Sequence, residues 1–243
     1  MTRIPILMYH NLAKPPKGKR LTSLYTPPDQ FARQMYLLSK LGYRGLSLRQ
    51  LEPYLKEEKT ERVFGITFDD GYVDNLNALP VLNRYGFTAT CYIVSGHIGK
   101  KNDWTKNQNI QECPLMNIQE IQNWLDAGMS IGSHSQSHAH LCTLNDSELK
   151  REIFESKACL EDTFKIPVED FCFPYGEFNT KVLEHVQAAG YKTAVTTQRS
   201  RAHRSHDFLT LPRVHMTKRT HLPLLMLKIL TSYEDRKYKG LRT

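Results

Sequence analysis

Val63-Phe64-Gly65-Ile66-Thr67-Phe68-Asp69-Asp70-Gly71 is an apolar run that ends in two adjacent carboxylates and a glycine. Its β-branched and aromatic content predicts a strand, and the D-G pair predicts a turn at its end. Neighbours in a strand face opposite ways, so Asp69 and Asp70 reach one site only where the strand stops and the chain turns. Gly71 allows that turn without a Cβ penalty. A second polar cluster, Gly132-Ser133-His134-Ser135-Gln136-Ser137-His138, follows further along the chain. Its H-x-x-x-H spacing predicts two imidazoles on one face of a helical turn. Two histidines and one carboxylate make a three-ligand set with open positions for water and substrate, as catalytic zinc needs. The other carboxylate is then left over to act as a base.

Around these clusters, short apolar runs alternate with longer segments of helical period, the pattern of an α/β fold. Strands are predicted at Ile4–Tyr9, Tyr43–Leu48, Val63–Phe68, Thr88–Val94, Met129–Ser133, Phe171–Phe173 and Thr193–Thr197, with Pro212–His215 as one more. Helices fall between them. Asn117 and Glu120 have capping-box spacing at the start of one, and Asn145–Phe164 reads as a single long helix. Residues 95–116 read as a long surface loop, of the kind that often carries function. Right-handed crossovers close such a series, about seven strands, into a barrel or a doubly wound sheet. In either, ligands gather at the carboxyl ends of strands, where Asp69-Asp70, His134 and Phe173-Pro174-Tyr175-Gly176 all fall. The turn at Pro174-Tyr175-Gly176 offers backbone N–H groups to a tetrahedral oxyanion, or simply packs an aromatic on the rim.

The 243 residues suit one domain, 1–243, with 216–243 as a C-terminal helical extension. The formal charge of +8 favours polyanionic partners, although a generally basic surface accounts for it equally well. Cys91, Cys113, Cys142, Cys159 and Cys172 are odd in number and contain no C-x-x-C pair, which argues against a disulfide framework or a zinc ribbon. A reducing compartment follows. The N-terminal apolar run is cut short by Pro5 and by His10-Asn11, so no signal segment is expected. Nowhere does an apolar run reach the roughly 18 residues of a membrane span. Leu222–Leu230 with Arg236, Lys237 and Lys239 reads as a terminal helix packed on the domain, with peripheral attachment to an anionic membrane as the alternative. The expected location is cytoplasmic or on the inner membrane face.

A two-carboxylate glycosidase needs its acid and base on either side of the scissile bond, about 5–9.5 Å apart, which adjacent residues do not readily supply. A serine esterase lacks its G-x-S-x-G elbow. Two histidines and a carboxylate also describe a non-haem iron triad, and a basic module that merely holds a polyanion is a further reading.

Thr67-Phe68-Asp69-Asp70-Gly71, His134-Ser135-Gln136-Ser137-His138 and Phe173-Pro174-Tyr175-Gly176 resemble, in order and approximate spacing, the motifs of the polysaccharide deacetylases, the NodB-homology or carbohydrate esterase family four domain. The resemblance extends to Leu7-Met8-Tyr9-His10, to Phe31 through Leu51, and to Leu211-Pro212-Arg213-Val214. It implies a distorted (β/α) barrel that removes N-acetyl groups from an amino-sugar polysaccharide or oligosaccharide, with release of acetate. By the same resemblance, Asp69 is the general base and Asp70, His134 and His138 hold one divalent ion, zinc first, with cobalt, nickel or manganese as substitutes. The Tyr175 amide helps form the oxyanion hole.

Two departures stand out. Many members carry an arginine in the third motif that orients the base, and Asp170–Tyr175 contains none. Many also carry a C-terminal Leu-x-His that supplies the general acid; the nearest candidate here is His215. The chain is instead similar to a branch with permuted motif order that acts on poly-N-acetylglucosamine, in which the histidine of an N-terminal Tyr-His takes the acid's place. That resemblance makes His10 the acid, with His215 second. The alternatives are an O-deacylase and a deacetylase of a small or lipid-linked saccharide; no nucleic acid partner is expected.

Overall fold

Strand β3 (Val63–Phe68), buried along its whole length, changes partner halfway. Its first half pairs with β2 (Arg44–Leu46), Arg44 opposite Val63 through Leu46 opposite Gly65. Its second half pairs with β4 (Thr90–Ile93) through Thr67–Thr90 and Phe68–Cys91. Its other edge, from Gly65 to Phe68, is taken by β1 (Ile6–Tyr9). In the computed structural model, which describes residues 2–104 and 108–238, this pairing closes a ring. From β4 the ring runs through β5 (Ser130–Ser133), β6 (Asp170–Cys172), β7 (Thr193–Arg199) and β8 (Leu211–His215) back to β1. All pairings are parallel. The fold is therefore the seven-stranded, single-domain α/β barrel expected. The short β2, wedged against β3 below β4, is its distortion.

Helices α1 (Pro28–Lys40), α3 (Leu79–Tyr85), α4 (Ile118–Asp126), α6 (Ser156–Phe164) and α7 (Thr180–Ala188) pack outside the ring, and two apolar layers follow from strand alternation. Outward residues such as Leu7, Phe64, Ile66, Phe68, Cys91 and Phe171 join helix residues including Phe31, Trp124 and Val182. Inward residues Ile6, Val63, Tyr92, Cys172, Val195 and Leu211 form a second cluster with Leu48, Leu51 and Leu55 of α2 (Leu48–Leu55), which plugs the bottom. The ring is too narrow for side chains everywhere. A Cβ on Gly132 would lie 2.6 Å from the Tyr92 ring and 2.7 Å from the Asp170 carbonyl.

Two expectations about elements change in detail. The helix expected over Asn145–Phe164 is α5 (Asp146–Lys150) and α6 joined by a π-helical turn, Arg151–Glu155. The stretch 95–116 is held down rather than free. Bridges pair Lys101 with Pro114 and Tyr72 with Leu115, and part of it, 105–107, lies outside the described residues. The terminal helix α8 (Leu222–Leu230) buries Leu225 and Ile229 against the domain, and Lys239 lies outside the described residues. No helix among the described residues is long and apolar enough to cross a membrane.

Candidate active site

Alternation carried one residue beyond the strand ends places three polar side chains inside the top of the ring. Tyr9 pairs with Phe68, so the next residues, His10 and Asp69, emerge side by side, and His134 follows β5 in the same way. Asp70 should point outward. It does not, because it sits at φ 73° and Gly71 at φ 75°, two successive left-handed residues that swing its carboxylate back over the ring. The adjacent carboxylates thus share one cavity of about 250 Å³ with His10, His134, His138, Tyr175 and the aromatic side chains Tyr72 and Trp104.

His134 Nε2 and His138 Nε2 lie 3.3 Å and 3.4 Å from the same Asp70 oxygen, and all three residues are buried. Two imidazole nitrogens and a carboxylate oxygen are a donor set suited to a divalent ion such as zinc. Burial alone would push the Asp70 carboxyl up, but the two histidines hold it well below its ordinary range, so the anion is available. A second triad can be drawn through Asp69, His134 and Cys172. It is a poor cation site, because the Arg213 guanidinium already occupies both Asp69 oxygens and lies 3.3 Å from Cys172 Sγ.

Arg213 is one residue of this site that the sequence did not single out. It is fully buried and grips Asp69 through two parallel bonds of 2.6 Å and 2.8 Å. Its Nε donates to the Thr196 carbonyl at 2.9 Å. That carbonyl is available because the β7–β8 register shifts between Val195 and Arg199, opposite Pro212, which has no N–H to give to the ladder. Burial pushes the Asp69 carboxyl up, and the Arg213 charge and hydrogen bonds overcome it, so Asp69 titrates below its ordinary value. The arginine expected in the third motif is absent there, and a guanidinium reaches the same carboxylate from β8. A lone arginine in an apolar strand, two residues from an inward Leu211, was the available signal.

The two acid candidates separate. His10 lines the cavity with Nε2 3.8 Å from Asp69 Oδ2. His215 is not among the lining residues; its Nε2 donates to the Thr197 carbonyl at 2.8 Å, and burial pushes its pKa down to about 4. Tyr175 stands at the rim in a left-handed conformation, φ 59°, with its ring perpendicular to that of His138 and the centroids 4.6 Å apart. His140 stacks on Tyr175 at 3.9 Å and bonds Glu177, clear of the ligand set.

His134 and His138 are not on a helical turn, as their spacing suggested. Ser135 and His138 are left-handed and the segment between them is irregular. A buried carboxylate from the π-helical turn shapes it: Glu152 accepts from the N–H groups of Gln136 and Ser137 at 3.0 Å and 2.9 Å and from the Ser137 hydroxyl at 2.6 Å. Ser135 Oγ accepts from the His138 N–H, and Ser133 bonds Ser156, outside the site.

The sequence model of the family described as "Polysaccharide deacetylase" matches residues 56–194. YxkH of Bacillus subtilis is 30% identical over 218 residues, which cover 88% of this chain and 72% of YxkH. The poly-beta-1,6-N-acetyl-D-glucosamine N-deacetylase of Staphylococcus aureus is 23% identical over 205 residues, 81% of this chain and 69% of that protein. In fold, the chain superposes on the Streptococcus pyogenes deacetylase PplD with a TM-score of 0.82 at 24% identity, covering 94% of this chain and 98% of PplD. The matched span carries the strands that deliver Asp69, Asp70, His134 and His138, and by it the chain belongs to the polysaccharide deacetylase family.

Proposed function

We propose that the protein is a metal-dependent hydrolase that removes N-acetyl groups from an N-acetylglucosamine-type saccharide. The observation that carries this reading is the division of labour between adjacent carboxylates: Asp70 faces two imidazoles, whereas Asp69 faces a guanidinium and His10. Asp70, His134 and His138 would hold the ion. When bound there, a divalent ion supplies Lewis-acid polarisation of an acyl carbonyl and makes water easier to deprotonate. Asp69, kept anionic by Arg213, takes the proton from the attacking water. The Tyr175 N–H stabilises the developing oxyanion. As the carbon–nitrogen bond breaks, His10 gives a proton to the leaving nitrogen, so the products are acetate and a free amine. The name of the Staphylococcus aureus relative supports a β-1,6-linked poly-N-acetylglucosamine as the first substrate to try.

The test is acetate release from N-acetylglucosamine oligomers with zinc, with chelator, and after zinc is restored. Chelator-sensitive, zinc-rescued release is expected, with Asp69→Asn retaining zinc and losing turnover. Zinc-loaded protein that releases no acetate from any oligomer would refute the substrate assignment. Near-normal turnover by Asp69→Asn would refute the base.

A further inference from the structure

The two histidines of the proposed metal site are held in different ways. His134 Nδ1 bonds the Cys172 carbonyl at 2.8 Å, which places its proton on Nδ1 and turns the Nε2 lone pair toward Asp70. His138 has no such brace: its Nδ1 is buried and, among the described residues, has no hydrogen-bond partner. Rings enclose it instead. The Trp104 indole lies flat on the imidazole, centroids 4.5 Å apart and planes within 16°. Tyr175 and His134 meet it edge-on at 4.6 Å and 4.8 Å.

The segment that brings Trp104 here is fastened to the histidine loop by backbone. Ser95 N–H donates to the Ser135 carbonyl at 3.1 Å, and Gly96 N–H to the Gln136 carbonyl at 2.8 Å. No side chain fits at Gly96, where a Cβ would lie 2.6 Å from that same Gln136 oxygen. Trp104 also meets the His97 ring edge-on at 5.4 Å. Its place over His138 is thus set by a close approach of two loops.

We propose that Trp104 is a positioning residue for the metal site: its indole face, in place of a hydrogen bond, holds His138 with Nε2 toward Asp70. The proposal rests on the reading of Asp70, His134 and His138 as metal ligands. The torsion that turns an imidazole is broad, so an unbraced ring samples orientations that cannot ligate. An aromatic face is also electron-rich, and an imidazole that shares its lone pair with a divalent cation becomes positive. The stack is therefore stronger in the loaded protein than in the empty one, and it adds to affinity rather than merely to packing.

The protein contains two tryptophans, and Trp124 is fully buried with its N–H on the Ser130 carbonyl, so Trp104 is the one that reports on the site. Zinc affinity is measured by chelator competition on the full chain for wild type, Trp104→Phe, Trp104→Leu and His138→Ala, with tryptophan emission followed during each titration. Wild-type emission changes on zinc binding, and that change disappears in Trp104→Phe. Trp104→Leu, which keeps apolar cover without a flat face, weakens zinc tenfold or more, the size of effect seen when a metal ligand loses its orienting partner. Trp104→Phe falls between. If the leucine variant melts well below wild type without metal, the phenylalanine variant decides: affinity equal to wild type overturns the proposal. So does wild-type emission that ignores zinc, or a folded leucine variant that binds zinc as wild type does while His138→Ala does not. Failure of the wild type to bind zinc, or full binding by His138→Ala, overturns the metal reading itself.

Discussion

Replacing Arg213 by methionine removes the guanidinium and nearly keeps the length of the side chain. Five contacts go: two to Asp69, and one each to Thr67, Thr196 and Cys172. The dominant loss is electrostatic, because Asp69 is 2% exposed and would keep only His10, at 3.8 Å, against its buried carboxylate. Breaking a buried pair in this way costs about 3–5 kcal/mol, a large share of the roughly 5–15 kcal/mol that holds a domain folded. The pH dependence gives the argument its sharper test. In wild type the Asp69 pKa is lowered, so its contribution to stability is present above the unfolded value of about 3.9 and is lost as pH falls through the folded value. Without Arg213, burial prevails and the pKa rises, which reverses the sign: stability then falls as pH climbs through the carboxylate range. Urea unfolding at pH 4.5 and 7.5 should show the larger deficit at pH 7.5, and adding Asp69→Asn should recover most of it. The acid limb of the turnover profile should move upward. A deficit that is the same at both pH values, or that Asp69→Asn does not relieve, would refute the assignment.

Glu152→Ala strips the Ser137 N–H and hydroxyl of their acceptor and leaves the Gln136 N–H only the Glu152 backbone carbonyl at 3.1 Å, and it should cost about 1–3 kcal/mol in thermal or urea unfolding, with weaker zinc binding measured alongside; unchanged zinc affinity would mean the loop keeps its shape without the carboxylate. Asp170, buried at the foot of the barrel with Thr193 donating to it, has its pKa pushed up to about 6 by burial, with Arg49, Glu169 and Glu52 as the nearby charges. A raised carboxyl pKa contributes stability below about pH 4 that is lost as pH rises through 6, so Asp170→Asn should match wild type near pH 4 and exceed it at pH 7.5 by up to about 3 kcal/mol. Parallel melting profiles across that range would count against this. Gly176→Ala places a methyl 2.0 Å from Thr197 Oγ1 at φ 73°, and should abolish acetate release in a protein whose circular dichroism stays native, since the displaced turn carries Tyr175.

The parts of this fold that are set locally are legible in the sequence. A strand that ends in D-D-G or G-S-H announces itself through its own residues, and about seven strands alternating with helices imply a barrel. What escaped was set at long range. Arg213 and Asp69 are 144 residues apart, and nothing in the Leu211–His215 run announces its partner. The spacing of His134 and His138 suggested a helical turn, because it carries no trace of the Glu152 carboxylate that bends the loop. Trp104 lies in a stretch without periodicity, and its value comes from two backbone hydrogen bonds between loops. Resemblance alone orders His10 before His215; in space, burial and the Thr197 carbonyl hold His215 away while His10 lines the cavity.

The double pairing of β1, to β8 on one edge and β3 on the other, bears on how such a chain can be ordered. In a closed ring the first strand has two neighbours, one from each end of the polypeptide. A chain that entered the ring at β2 and delivered the Ile6–Tyr9 strand after β8 would build the same site from the same residues, with His10 still beside Asp69. Motif order along such a sequence records where the circle was opened. The chemistry depends on the circle.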